Sequence, residues 1–161
     1  MNNQTSSLEI SHFPVMLDEI IKISSPAKGG VFVDCTFGGG GYSRRLLQFP
    51  KTKLISFDRD PSVLAIAKKL KNKFYKRFNF HQLKFSQMHQ VLNENVDIII
   101  FDLGLSSFQL NNLKRGFSFN SKENLDMTMG LSDVSAQEVV NNLSEKQLKL
   151  IIKILGEENE A

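Results

Sequence analysis

Three aspartates and a run of glycines are the residues of this sequence whose types and spacing suit ligand chemistry. Gly38-Gly39-Gly40-Gly41 follows the β-type run Val31-Phe32-Val33-Asp34-Cys35 and precedes a stretch of helical character, Tyr42 to Phe49. Consecutive glycines let a backbone turn sharply and approach a ligand where any Cβ would collide. The helix behind them offers unpaired N–H groups and a positive dipole end. In the dinucleotide-binding form of such a loop a third glycine follows the second by three residues. With Gly38 and Gly40 as the first two, Ser43 holds that place. Asp34, near the end of the first strand, suits another ligand: a carboxylate there repels a pyrophosphate but accepts hydrogen bonds from an amino-acid ammonium group. S-adenosylmethionine has that group and no phosphate. The bland alternative is a turn-forming glycine cluster without a ligand.

Asp58 closes a second β-type run, Lys53 to Phe57, 17 residues after Gly41. An acid about 20 residues beyond the glycines is placed to bind ribose hydroxyls. Asp60, followed by Pro61, is better explained as a helix N-cap. Asp102 ends the most apolar run of the chain, Val96-Asp97-Ile98-Ile99-Ile100-Phe101. Ligands of open α/β sheets bind beyond the carboxyl ends of the strands, so an acid there can accept a hydrogen bond from an attacking exocyclic amine. Such an amine is a poor nucleophile, because its lone pair conjugates with the ring, and it needs orientation and an outlet for its proton. The competing role for Asp102 is a cap on the next turn.

The elements that must position these groups alternate. Val15 to Ile23 has near-helical apolar spacing; Phe78 to Leu83 reads as a third strand and Ser86 to Leu92 as a short helix. A helix opening at Asp60-Pro61 is expected to turn Val63, Leu64, Ala67 and Leu70 inward, and Val96 to Phe101 to be a buried parallel strand. Strand and helix thus alternate four times, the pattern of a doubly wound, mostly parallel α/β sheet. From Leu103 to Gly130 the periodicity is lost; two helices follow from Ser135, the second opening on the capping-box pair Ser144 and Gln147. The expected organisation is an arm over residues 1–10, a Rossmann-like domain over 11–130 lacking its carboxyl-terminal strands, and a helical segment over 131–161.

Composition narrows the classes. The chain has 161 residues, 41% hydrophobic and 23% charged, enough for one domain with a real core. A net charge of +3 is compatible with a nucleic-acid partner without arguing for one. The single cysteine, Cys35, excludes an internal disulfide and a cysteine-cluster metal site and suits a reducing compartment. No apolar run is long enough for a bilayer and no signal peptide is read at the amino terminus, so no membrane partner and a cytoplasmic location are expected. His12, His81 and His89 have no metal-site or triad spacing, and no metal is expected.

Six blocks occur in order: His12-Phe13-Pro14-Val15-Met16-Leu17; Val33 to Arg44 with its four glycines; Asp58-Arg59-Asp60-Pro61; Asp102 to Leu110; Arg115-Gly116-Phe117-Ser118-Phe119; and Leu125-Asp126-Met127. Together they resemble the RsmH (MraW) family. The resemblance implies a Rossmann-like methyltransferase that moves a methyl group from S-adenosylmethionine to N4 of a cytidine in the decoding region of 16S ribosomal RNA, in the small ribosomal subunit. It implies cofactor contacts at Gly40, Gly41, Tyr42, Asp58, Phe85, Asp102 and Gln109, with Asp102 the catalytic group. Phe85 and Gln109 come from the resemblance alone; Phe85 by itself reads as core. Tyr42 stands where many members have His, Phe108 where a Pro is usual, and Glu123-Asn124 where a Gly-Pro turn is usual. Family members also continue well past Ala161, so a truncated member, a split gene product or a fragment is expected, with apolar sheet faces left uncovered.

Among weaker signals, the basic run Lys68 to Arg77 reads as the solvated end of a helix rather than an RNA contact. Arg115, in the loop past the fourth strand, is the better RNA-binding candidate. Two rivals stand beside the methyltransferase: an NAD-dependent oxidoreductase, disfavoured by Ser43 and Asp34, and a remnant that binds cofactor or ribosomal RNA without turnover.

Overall fold

The apolar runs form a four-stranded parallel sheet in the order β3-β2-β1-β4. This is seen in a computed structural model that describes residues 14–131 and 134–160; His12 and the expected arm over 1–10 lie outside the described residues. β1 (Gly30–Asp34) lies between β2 (Thr52–Phe57) and β4 (Ile98–Ile100), with β3 (Phe78–His81) outside β2. This is the order of a Rossmann half, in which the chain reverses direction across the sheet between β1 and β4. The chain divides into two units, Met1–Ser107 and Phe108–Ala161.

Because side chains alternate across a strand, the register sorts the core into two layers. Phe32 pairs with Leu54 and Ile98, and Leu54 with Phe78. These residues share one face with Leu46 of α2 (Gly41–Leu46), with Ala67 and Leu70 of α3 (Leu64–Lys73), and with the partly buried Leu17, Ile20 and Ile21 of α1 (Leu17–Ser24). Val33, Cys35, Ile55 and Phe57 point the other way, under Leu83, Met88, Val91 and Leu92. The segment expected as a helix from Ser86 is a 3₁₀ stretch, Phe85–Gln90.

Asp60 caps the next turn as its sequence predicts, accepting from Ser62 N at 3.0 Å with Pro61 in the first position. The turn Pro61–Val63 is 3₁₀, however, and α3 begins only at Leu64. A tighter turn of about three residues rotates each successive side chain further. Val63 therefore faces the core while Leu64, expected inward, is 41% exposed.

The fourth strand also differs. β4 has three residues rather than six and sits at the sheet edge. Ile98 and Ile100 join the first core layer, but Ile99 and Phe101, on the other face, are 45% and 46% exposed. An apolar run predicted to be buried on both sides is covered on one.

The basic run is not merely solvated. The Arg77 guanidinium donates to Leu47 O and Phe49 O, both at 2.9 Å, and to Thr52 O at 3.1 Å. Lys71 Nζ donates to Phe78 O at 2.6 Å. Both cations hold the amino-terminal ends of β2 and β3 in place.

In the second unit, α5 (Ala136–Asn142) and α6 (Glu145–Leu155) each open on a capping box, Ser135 with Glu138 and Ser144 with Gln147. The residues before them pack through backbone bonds: Gln137 N to Leu125 O at 2.8 Å, Ala136 N to Asp126 O at 3.0 Å and Met127 N to Arg115 O at 2.9 Å. Among the described residues no helix is long and apolar enough to cross a membrane.

Candidate functional site

The first unit gathers the glycine loop, Asp58 and Asp102 at the carboxyl ends of three adjacent strands. Each strand end is tied to its neighbour by backbone. Cys35 N donates to Ile100 O at 2.9 Å, joining β1 to β4, and Phe37 N donates to Phe57 O at 3.0 Å, joining β1 to β2. The loop then turns on glycines in the left-handed region, Gly38 at φ +48° and Gly40 at φ +72°. A Cβ on Gly40 would lie 2.9 Å from the Phe37 ring, and one on Gly41 would lie 2.2 Å from Pro14 Cγ. Glycine is thus required at Gly40 by conformation and at Gly41 by the proline packed over the start of α2.

Asp58 does two things at once. Its Oδ2 accepts Gly38 N at 2.8 Å and its Oδ1 accepts Asp60 N at 2.9 Å, so it clamps the glycine loop to the end of β2. Each carboxylate oxygen can accept a second hydrogen bond, and the side chain is only half-buried, leaving acceptor capacity for a ligand hydroxyl. Burial raises its carboxyl above the usual range, against the lowering effect of the backbone N–H groups of Asp60, Gly38 and Arg59.

Asp102 follows β4. Its N–H donates to Thr36 Oγ1 at 2.8 Å, which ties it to the glycine loop. Its carboxylate is half-buried, and a Cβ placed two residues further on, at Gly104, would meet nothing within 4 Å. Space is open beside this strand end.

The Tyr42 side chain is engaged within the fold. The ring is buried and its hydroxyl donates to Val15 O, ahead of α1. Burial raises the phenol, with Asp102 and Asp34 adding to it. The N–H groups of Gly41 and Tyr42 are in the first turn of α2, where an α-helix provides no acceptor of its own.

Phe85 is not core. It is 39% exposed and meets Phe101 edge-to-face at 5.3 Å, beside the end of β4. Gln109 and Arg115 belong to the second unit. Gln109 is buried in α4 (Ser107–Asn111). The Arg115 guanidinium donates to Thr128 O and lies over the Phe117 ring at 5.3 Å.

The structure gives Asp34 a different place from the one its sequence position suggests. It is 0% exposed; Oδ1 accepts Thr36 N at 3.2 Å and Oδ2 accepts Ser43 Oγ at 2.6 Å. It faces the underside of the loop and presents nothing to an ammonium group. Thr36 and Ser43 had not stood out as site residues; the visible signal was Ser43 at the place of a third glycine. Burial pushes the Cys35 thiol up to about 11, an unreactive state. Among the described residues no group of His, Cys, Asp and Glu has a metal-binding arrangement.

Known proteins resemble this chain in sequence and in fold. The sequence profile of the MraW methylase family matches residues 9–161. A ribosomal RNA small subunit methyltransferase H of Bartonella tribocorum is 43% identical over 150 residues, 93% of this chain and 45% of the relative. One from Orientia tsutsugamushi is 41% identical over 152 residues, 93% of this chain and 49% of the relative. The chain spans about half the length of the curated relatives it matches. The crystal structure of a putative rRNA-methylase from Clostridium thermocellum superposes with a TM-score of 0.50 at 20% identity, over 60% of this chain and 55% of that one, a likeness of fold. With the parallel sheet, the glycine loop and a match across nearly its whole length, the chain belongs to the MraW methylase family.

Proposed function

We propose that this chain carries the S-adenosylmethionine site of a cytoplasmic methyltransferase that modifies N4 of a cytidine in the decoding region of 16S ribosomal RNA, within the small ribosomal subunit. The observation that carries the proposal is the convergence of the glycine loop, Asp58 and Asp102 at the carboxyl ends of β1, β2 and β4. The groups present fit the cofactor. Asp58 has acceptor capacity for ribose hydroxyls, the N–H groups of Gly41 and Tyr42 face the methionine portion while Gly40, its own N–H bonded to Phe37 O at 2.6 Å, gives that portion close backbone approach, and Phe85 offers a half-exposed ring for adenine. Gln109 is assigned to the same cofactor and Arg115 to RNA phosphate. Residues 11–130 would form the cofactor-binding domain and 131–161, with α5 and α6, the start of a helical insertion.

S-adenosylmethionine, when bound, supplies a methyl group on a positively charged sulfur. The chain's own contribution is to position. Asp102 accepts a hydrogen bond from the cytosine amine, turns its lone pair out of conjugation and takes up the proton the amine loses. The names of the relatives, which specify small-subunit ribosomal RNA, support the choice of substrate.

The test is transfer of labelled methyl from S-adenosylmethionine to unmethylated 30S particles. Label on cytidine, lowered at least a hundredfold by Asp102→Ala, is the expected result. A second reading, binding of cofactor or ribosomal RNA without turnover, is favoured by the exposed Ile99 and Phe101 beside the strand end that Asp102 follows. It predicts label only when the carboxyl-terminal half of a longer relative is added. No label in either arm contradicts the proposal.

A further inference from the structure

We propose that Asp34 is a positioning residue for the cofactor loop: its carboxylate, sealed beneath the loop and out of ligand reach, locks the end of β1 to the start of α2 and, through Thr36, to the segment after β4. The inference rests on the cofactor reading above for the loop's purpose, and on geometry alone for Asp34's role.

The network is continuous. Ser56 of β2 and Ser43 of α2 share a hydroxyl bond of 2.9 Å, Ser43 Oγ donates to Asp34 Oδ2 at 2.6 Å, and Thr36 N donates to Asp34 Oδ1 at 3.2 Å. Thr36 in turn accepts Asp102 N at 2.8 Å. Asp34, Ser43 and Ser56 are all wholly buried. One carboxylate therefore connects three strand ends and the first turn of the helix that carries Gly41 and Tyr42. Ser43 uses its only proton on Asp34, so Ser56 must donate to Ser43.

With Asp34 ionised, both of its bonds are charge-assisted and roughly twice as strong as neutral ones. With Asp34 protonated, its O–H turns toward Ser43, Ser43 turns toward Ser56, and every bond in the chain is neutral. The titratable groups facing Asp34 are Asp58 at the end of β2, Asp102 past β4, Cys35 beside it and the Tyr42 phenol on α2. Burial pushes the Asp34 carboxyl up to about 6, with Asp58 and Asp102 adding to the rise. A carboxyl raised from 3.8 to about 6 binds its proton more tightly folded than unfolded, so over that window its contribution to folding stability falls as pH rises. Burial dominates that rise, so the ionised carboxylate is penalised in the packed loop relative to any state in which it meets water, and acidification favours the closed loop as well as the fold. Ser43→Ala separates the strut from the titration, because it removes the hydroxyl that joins Asp34 to α2 and keeps the carboxyl.

The experiment follows amide protection and thermal stability in the full chain without ligand between about pH 5 and pH 7.5, then S-adenosylmethionine affinity over the same range. Asp34→Asn and Ser43→Ala are the variants. Protection of the Gly40, Arg44 and Asp102 amides in the wild type is expected to rise toward pH 5, as the buried carboxyl takes up its proton. In Asp34→Asn protection should be pH-independent, and in Ser43→Ala it should be lower than in the wild type at every pH. Cofactor affinity should follow the same pattern, and thermal stability of the wild type relative to Asp34→Asn rises toward pH 5. Unchanged protection in both variants, or in Ser43→Ala alone should Asp34→Asn not fold, overturns the inference. If protection responds as described and no form binds S-adenosylmethionine, the cofactor reading fails and the role of Asp34 in the loop stands.

Discussion

The segments after β1 and after β4 reach the same edge of the sheet but are built differently. The first is enclosed: Asp34, Phe37 and Ser43 are buried, and Asp58, Phe57 and Thr36 bond to it or from within it. The second is open: Phe101 is 46% and Leu103 71% exposed, and the Asp102 N–H bond to Thr36 ties it to the first. The contrast teaches where this chain is self-sufficient. The proposed cofactor cradle is held by bonds made within the first unit, whereas the outer side of β4, where the proposed substrate amine would arrive, presents apolar side chains to solvent.

Substitutions that treat the two segments alike should give unequal results. Phe57→Ala, emptying a fully buried site under the loop, is expected to cost about 3–5 kcal/mol in urea denaturation, against about 1 kcal/mol for half-exposed Phe101→Ala. Equal costs would break the comparison. Gly41→Ala drives a Cβ into Pro14 at 2.2 Å and should cost about 1–3 kcal/mol, while also weakening cofactor binding. Gly104→Ala meets no neighbour within 4 Å and carries only the strain of φ +141°, about 1 kcal/mol, with affinity unchanged. An effect of similar size is expected for Thr36→Val, which removes the acceptor of Asp102 N. About 1 kcal/mol should be lost, and faster amide exchange should centre on Asp102.

Much of this was legible in the residues. Alternating apolar runs predicted the parallel sheet, and Asp60-Pro61 its helix start, because period and capping are local properties. Leu64 was misplaced because a 3₁₀ turn shifts the helical phase without changing composition. β4 reads as doubly buried because an apolar run does not reveal whether its neighbours in space are present. At the site, the positions of Asp58 and Asp102 followed from strand ends. Asp34 did not, since its residue type suits a ligand contact and a buried strut equally; only the short bond to Ser43 decides. The pairing of Tyr42 with Val15 crosses 27 positions and leaves no mark in spacing.

The most direct test of the account is calorimetric titration of the full chain with S-adenosylmethionine, alongside Asp58→Ala and with NAD as competitor. Saturable binding, weakened about tenfold or more by the substitution as expected for lost hydrogen bonds to a charged group, and untouched by NAD, is the predicted result. A folded chain that shows no binding, or that binds equally well without Asp58, would contradict the claim that the cradle after β1 is the cofactor site.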